Sequence, residues 1–233
     1  PRILARVTAE EISNFYTRVH TEEGATINTG VGVAGFGGDN GKVSYVETAD
    51  GTQYPADIVI VGVGVIPNVE LAEEIGLDVD NGILVDQYAR TNDPDIVAAG
   101  DVTNHPNALL GRNIRLESVP NASEQAKSAA ASICGLEKEY TALPWFWSDQ
   151  YDLKLQIAGL NQGYDSVVIR GDIEGSRSFA AYYLKDNKVI AVDCINRPQE
   201  FMAAKQALAK GLEIDASRAA DESVPPKELI IGG

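Results

Sequence analysis

The chain has 233 residues, 44% of them hydrophobic, with 34 acidic against 19 basic side chains and a formal net charge of −15. That length permits one large or two small domains with a real core, and the acidity argues against binding nucleic-acid phosphates. The longest apolar run, Ile58 to Ile66, is broken by Gly62 and Gly64 and is far shorter than the roughly 20 residues of a membrane helix, so no membrane partner is expected either.

The first residue is Pro1 and the only Met is Met202, so the sequence reads as a truncated or processed piece. The two cysteines, Cys134 and Cys194, form no CxxC pair. They fit a reducing cytoplasm, exclude a dithiol relay and read as small buried hydrophobes. His20 and His105 stand apart from any Cys or carboxylate cluster, which leaves a catalytic metal without support.

In chain order, Thr8-Ala9-Glu10-Glu11 reads as a capping box, followed by Ile12, Phe15, Tyr16 and Val19 at helical spacing up to Gly24. The run Gly30 to Gly35 reads as a turn between strands. Strands are expected at Val43 to Thr48 and Ile58 to Val61, with a turn at Asp50-Gly51 between them. Ile58 to Val61 is apolar on both faces, as in a buried parallel sheet, and runs into Gly62-Val63-Gly64. Those glycines would let a cofactor approach the backbone, and equally suit any tight strand exit.

Asn68 is placed to cap a helix from Val69 to Ile75 that stops at Gly76, and Asp80-Asn81-Gly82 turns into a strand at Ile83 to Val85. A strand at Ile96 to Ala99 then delivers Gly100-Asp101. Glycine lets backbone pass close to a ligand, and a carboxylate beyond a strand's carboxyl end offers acceptors to sugar-like hydroxyls. A bare Gly-Asp also serves ordinary turns. Pro120-Asn121-Ala122 opens a helix to Ile133, closed by Gly135, whose first turn presents free N–H groups and a positive dipole end. From Trp145 the pattern changes to strands at Leu153 to Ala158, Ser166 to Arg170, Ser178 to Leu184 and Val189 to Ile195. Asp186-Asn187 forms a hairpin turn, a helix spans Pro198 to Lys210, and the tail after Asp221 reads as loosely packed.

The eleven residues from Thr91 to Asp101 resemble the second flavin motif of flavoprotein reductases with two dinucleotide-binding domains. Four further segments agree in order: ADIVIVGVGVIPN, RLESVPNASEQA, PWFWSDQYDLKLQIAGL and the tail through Arg197 and Phe201. Together they resemble the NADH-dependent ferredoxin and rubredoxin reductases that serve haem monooxygenases and ring-hydroxylating dioxygenases, relatives of apoptosis-inducing factor.

The resemblance implies an α/β plus α+β chain: partial Rossmann-like FAD/NAD-binding domains followed by a C-terminal antiparallel-sheet-and-helix domain. Residues 1–64 would be the latter part of an NAD-binding domain, 65–143 the second segment of an FAD-binding domain, 144–225 the C-terminal interface domain and 226–233 a tail. It implies FAD contacts at Gly100, Asp101, Val102, Ser118, Val119 and Trp147, and NAD contacts at Gly62, Val63, Gly64 and Glu117. Glu117 could equally pair with Arg112 or Arg115, and Trp145 and Phe146 are expected as core or interface.

The implied reaction passes a hydride from NADH to FAD and then single electrons to a two-iron two-sulfur ferredoxin, with no protein acid, base or nucleophile. A rubredoxin reductase or an apoptosis-inducing-factor-like oxidoreductase is the nearest alternative, and a non-catalytic docking or dimerisation module is an alternative of another class. Partner ferredoxins of the family are typically acidic, so a basic patch is expected among Lys154, Arg170, Arg177, Lys185, Lys188 and Arg197. Neither expected GxGxxG fingerprint is present, which implies a further partner: a missing N-terminal half of the same protein.

Overall fold

The structure, a computed structural model, describes residues 1–232. It separates into two compact units, Pro1–Ile66 and Pro67–Gly233.

In the first unit, helix α1 (Glu10–Glu22) buries Ile12, Phe15, Tyr16 and Val19 on one face. The expected capping box does not form. The N-cap is Ala9, with no side-chain cap, and the Thr8 hydroxyl donates to Leu4 O at 3.3 Å instead. Arg2 ties the segment before the helix to its first turn, donating to Thr8 O (2.8 Å), to Ala9 O (3.2 Å) and to the Ser13 hydroxyl, and caps no helix N–H.

Strands β1 (Val33–Asp39), β2 (Lys42–Thr48) and β3 (Gln53–Pro55) follow as an antiparallel meander. The Gly30 to Gly35 run is therefore half strand, because Val33, Ala34 and Gly35 belong to β1. Asn40-Gly41, both at positive φ, close the first hairpin, and Tyr45 lies across Gly37, where a Cβ would sit 2.0 Å from its ring. Ile58 to Val61 joins no sheet, and Ile58 and Ile60 are 81% and 91% exposed. A strand apolar on both faces needs a neighbouring strand and a covering layer, and the described residues supply neither.

In the second unit, α2 (Glu70–Glu74) starts from Val69 without a side-chain cap, so Asn68 does not serve as one. Strand β4 (Ile83–Leu84) lies parallel to β5 (Thr103–Asn107), which pairs antiparallel with β6 (Arg112–Ile114). Ile96 to Ala99 is not a strand. Its only ladder contact is the bridge Val97–Arg90, because Thr91 N–H to Ile96 O and Ala98 N–H to Ala89 O fold residues 89–98 back on themselves. Helix α3 (Val119–Ile133) is capped by Ser118, whose hydroxyl accepts from Asn121 N–H at 3.2 Å, and it packs against β7 (Trp145–Gln150).

With β8 (Leu153–Gly159), β9 (Ser166–Gly171), β10 (Phe179–Lys185) and β11 (Lys188–Ile195), β7 forms an antiparallel sheet in the order β7-β8-β11-β10-β9. The Asp186-Asn187 turn has positive φ at both residues, as a two-residue hairpin requires. Helix α4 (Pro198–Ala209) covers one face, and Phe201, Ala204 and Ala207 meet Ala180, Tyr182 and Leu184 in the core.

The tail is tightly packed, contrary to expectation. Strand β12 (Glu213–Ile214) pairs with β13 (Ile230–Ile231), Leu229 is 1% exposed, and the buried Arg170 donates to Ala219 O, Asp221 O and Val224 O at 3.2, 2.6 and 2.7 Å. A guanidinium presents five donors in a rigid fork, so one side chain can fasten three carbonyls. The α/β plus α+β class holds, with a single parallel pair, β4–β5, and a C-terminal sheet under a helix. Among the described residues no helix is long and apolar enough to cross a membrane.

Candidate functional site

The site is built where the turn after residue 99 meets the start of α3. Gly100 has a φ of 89°, a conformation open mainly to glycine, and a Cβ there would stand 3.5 Å from the Ala122 Cβ. Its N–H donates to Gln125 Oε1 at 2.7 Å, and its carbonyl accepts from Thr103 N–H at 3.0 Å. Both backbone groups of the turn are thus occupied by protein. Asp101 follows, exposed, and its carboxylate takes no hydrogen bond among the described residues, while its carbonyl accepts from Arg115 at 3.3 Å. The Val102 carbonyl accepts from Ile83 N–H at 2.8 Å, which leaves that residue its N–H and side chain for a ligand.

At the start of α3, Pro120 has no N–H and the Asn121 N–H is taken by Ser118. The donors left at this end are the N–H groups of Ser118 and Val119, and Val119 is 64% exposed. Asn121, itself buried, donates to Leu116 O at 2.9 Å and accepts from the Tyr140 hydroxyl at 2.7 Å, tying the helix start to the linker before β7. Burial pushes the Tyr140 phenol up to about 12, so it stays a donor. The buried His105 ring meets Tyr140 edge-on at 5.0 Å, and desolvation lowers its pKa, favouring neutral imidazole.

Glu117 pairs with Arg115 at 2.7 Å, the structural alternative for that residue. Gly62, Val63 and Gly64 lie in the first unit. Val63 is 91% exposed, Gly64 has a φ of 100°, and a Cβ at either glycine would meet nothing.

Trp147 is 43% exposed on β7, with its ring 5.6 Å from that of Trp145. Trp145 in turn packs on Phe201 and under the Lys205 ammonium, 3.8 Å from the ring centroid. Desolvation lowers the Lys205 pKa, against the pull of Glu124, and Glu124 is itself influenced by Lys127, Lys138 and Lys205. Of these lysines Lys205 lies over Trp145 and Lys127 pairs with Glu124, and neither was evident from the sequence. The only local signals were the Glu124–Lys127 and Phe201–Lys205 spacings, which place side chains on one helix face.

Four of the six residues expected as a basic patch are ion-paired, Lys154 and Lys185 being the other two. Arg170 is buried against Glu200, Arg197 pairs with Glu200 and Glu222, Arg177 with Asp152 and Lys188 with Glu213. Cys194 is buried as expected, whereas Cys134, at the end of α3, is exposed. Among the described residues no group of three or more His, Cys, Asp or Glu could hold a metal ion. A cleft of about 440 Å³ between Leu109, Arg112, Tyr140 and Leu143 contains none of the candidate residues.

A carboxylate free of protein hydrogen bonds among the described residues, on a turn fastened to α3, and two free amides at the start of that helix suit a ligand with hydroxyl donors and an electron-rich edge. That is the chemistry of a flavin with its ribityl chain, and the donor set fits it. Gly62 and Gly64, open on every side, fit close approach of a nucleotide to backbone.

The chain belongs to the pyridine nucleotide-disulphide oxidoreductase family, matched over residues 1–126, and residues 145–230 match the reductase C-terminal family. Membership implies FAD and NAD(P) as the cofactors. Its relatives include putidaredoxin reductase of Pseudomonas putida, 47% identical over 231 residues, covering 98% of this chain and 54% of the relative. Rubredoxin-NAD(+) reductase of the same species is 36% identical over 199 residues, covering 85% and 51%. The fold superposes on the crystal structure of the covalent putidaredoxin reductase–putidaredoxin complex with a TM-score of 0.93 at 46% identity, covering 98% of this chain and 55% of that one. The chain thus spans about half the length of the relatives it matches.

Proposed function

We propose that this chain is the C-terminal part of an FAD-dependent reductase that passes electrons from NADH through the flavin to a two-iron two-sulfur ferredoxin serving a haem monooxygenase or ring-hydroxylating dioxygenase. In this reading residues 1–64 complete an NAD-binding domain, 65–143 an FAD-binding domain, and 144–225 form the interface domain with a tail to 233. The observation that carries it is the Gly100 turn fastened to α3 through Gln125, with an Asp101 carboxylate that takes no hydrogen bond among the described residues and free Ser118 and Val119 amides at the start of the same helix.

Bound FAD would supply hydride acceptance and one-electron release. Asp101 would accept from the ribityl hydroxyls, and Gly100 and Val102 would hold the turn that presents it. The Ser118 and Val119 N–H groups and the α3 dipole act on the electron-rich edge of the ring. Trp147 would lie against the flavin, and the resemblance assigns Gly62, Val63 and Gly64 of the first unit, and Glu117 of the second, to NAD. Lys205 would offer an acidic ferredoxin a positive charge beside the tryptophans, within an otherwise acidic chain. Free thiols at Cys134 and Cys194 support a cytoplasmic setting.

The test is to purify the full-length polypeptide, record its flavin absorbance, add NADH, and then supply a two-iron two-sulfur ferredoxin. A yellow protein bleached by NADH that reduces the ferredoxin is the expected result. A protein that binds no FAD, or bleaches without passing electrons to any such ferredoxin, would overturn the reading.

A further inference from the structure

The Gly100 turn is held by a residue 25 positions away, in the second turn of α3. Gln125 is 1% exposed, and its carboxamide oxygen accepts the Gly100 N–H at 2.7 Å while the Thr103 hydroxyl stands 2.8 Å from the same oxygen. The Thr103 hydroxyl also reaches Gly100 O at 2.8 Å, so the turn and the helix share one knot of polar atoms. Gln125 Nε2, by contrast, is buried without a partner among the described residues. An unmet buried donor is costly, and leucine or methionine would fill the same space without one, so packing alone does not account for glutamine here. What the amide contributes is a buried acceptor that fixes the position of the Gly100 N–H on α3.

We propose that Gln125 is the positioning residue of the flavin site: it sets the distance between the Asp101 carboxylate and the amides that open α3, so that both act on one ligand. This rests on the reading that those groups hold the flavin. Gln125 touches no ligand itself; it acts through Gly100 and Asp101. Shifts of an ångström in a preorganised site weaken every interaction that depends on it.

The experiment measures FAD dissociation constants, by flavin fluorescence, for the full-length polypeptide carrying Gln125→Leu, Gln125→Glu, Asp101→Ala and the double substitution Gln125→Leu with Asp101→Ala. Thermal unfolding of each apoprotein is recorded alongside. Gln125→Leu is expected to weaken FAD about tenfold. Gln125→Glu at pH 6, its buried carboxyl neutral and isosteric, should recover most of that loss. The double substitution should bind no more than about threefold more weakly than Asp101→Ala alone, because residues that act as a unit are not additive.

Wild-type affinity in Gln125→Leu, no recovery by Glu, or full additivity would each overturn the positioning role while leaving the site reading intact. Unchanged FAD binding in Asp101→Ala would instead remove the site reading on which it rests. Should Gln125→Leu not fold, Gln125→Met makes the same deletion with a more adaptable side chain.

Discussion

The Tyr183 hydroxyl donates to Asp193 Oδ2 at 2.5 Å inside the five-stranded sheet, and both residues are fully buried. They lie on adjacent strands β10 and β11, on the face away from α4, and Asp193 Oδ1 has no partner among the described residues. Burial pushes the Asp193 pKa up to about 8 from a normal 3.8, against the opposing effect of the tyrosine bond.

The sign of the pH dependence follows. The folded protein binds this proton more tightly than the unfolded chain, so the contribution to stability is fully present below about pH 4 and is lost as pH rises toward 8. Denaturant unfolding between pH 5 and 9 should therefore show stability falling toward the alkaline end. Asp193→Asn should flatten that fall. An unchanged slope in the variant would mean that other groups produce it.

Arg170 is the fastener of the C-terminal segment. Truncating it to Ala removes bonds to Ala219, Asp221 and Val224 and leaves Glu200 buried with only Arg197 as a cation. A loss of about 3–5 kcal/mol is expected, the range for breaking a buried pair. Lysine cannot rescue it, since one ammonium cannot replace the fork. Proteolytic cleavage after residue 214 in Arg170→Ala, absent from the wild type, would show that the released segment is the one residues 215–231 form; intact digestion patterns would count against this role.

Asp101→Ala in the full-length polypeptide should weaken FAD retention by about 1–3 kcal/mol through loss of a polyol acceptor. The exposed carboxylate bonds no protein group among the described residues, so the melting temperature of the apoprotein should stay within a degree or two of the wild type. Gly100→Ala should do the opposite and lower stability, because a φ of 89° strains any residue with a Cβ by about 1–2 kcal/mol. Retained flavin in Asp101→Ala would remove the central site assignment.

What could be read from the sequence divides along physical lines. The Asp186-Asn187 hairpin and the helices ending near Gly24 and Gly135 were legible because turn and cap chemistry is local. Gln125 was not, since a single glutamine in a helix carries no sign of a partner 25 residues earlier. Ile58 to Val61 had the composition of a buried strand, but burial is a property of its neighbours, and this chain sets none beside it. Ile96 to Ala99 was misread for the converse reason: the Thr91 and Ala98 turn bonds compete with a sheet ladder and prevail. The aromatic run at 145–147 forms the edge strand of the sheet, its alternation hidden by two tryptophans and a phenylalanine in succession.

That edge strand leads to the last prediction, which separates partner docking from cofactor binding. Trp147 is partly exposed beside Trp145, and the Lys205 ammonium lies over the Trp145 ring. If an acidic ferredoxin docks there, Trp147→Ala should slow its reduction by roughly tenfold, about 1.4 kcal/mol, with a smaller change in FAD affinity. Lys205→Glu should slow it further at low salt than at high salt, because screening at about 0.15 M removes most of an exposed charge's reach beyond roughly 8 Å. Stopped-flow reduction of the ferredoxin at several ionic strengths measures both. Equal loss at every salt concentration would assign Lys205 to packing over Trp145, where its ammonium stands 3.8 Å from the ring, and not to docking.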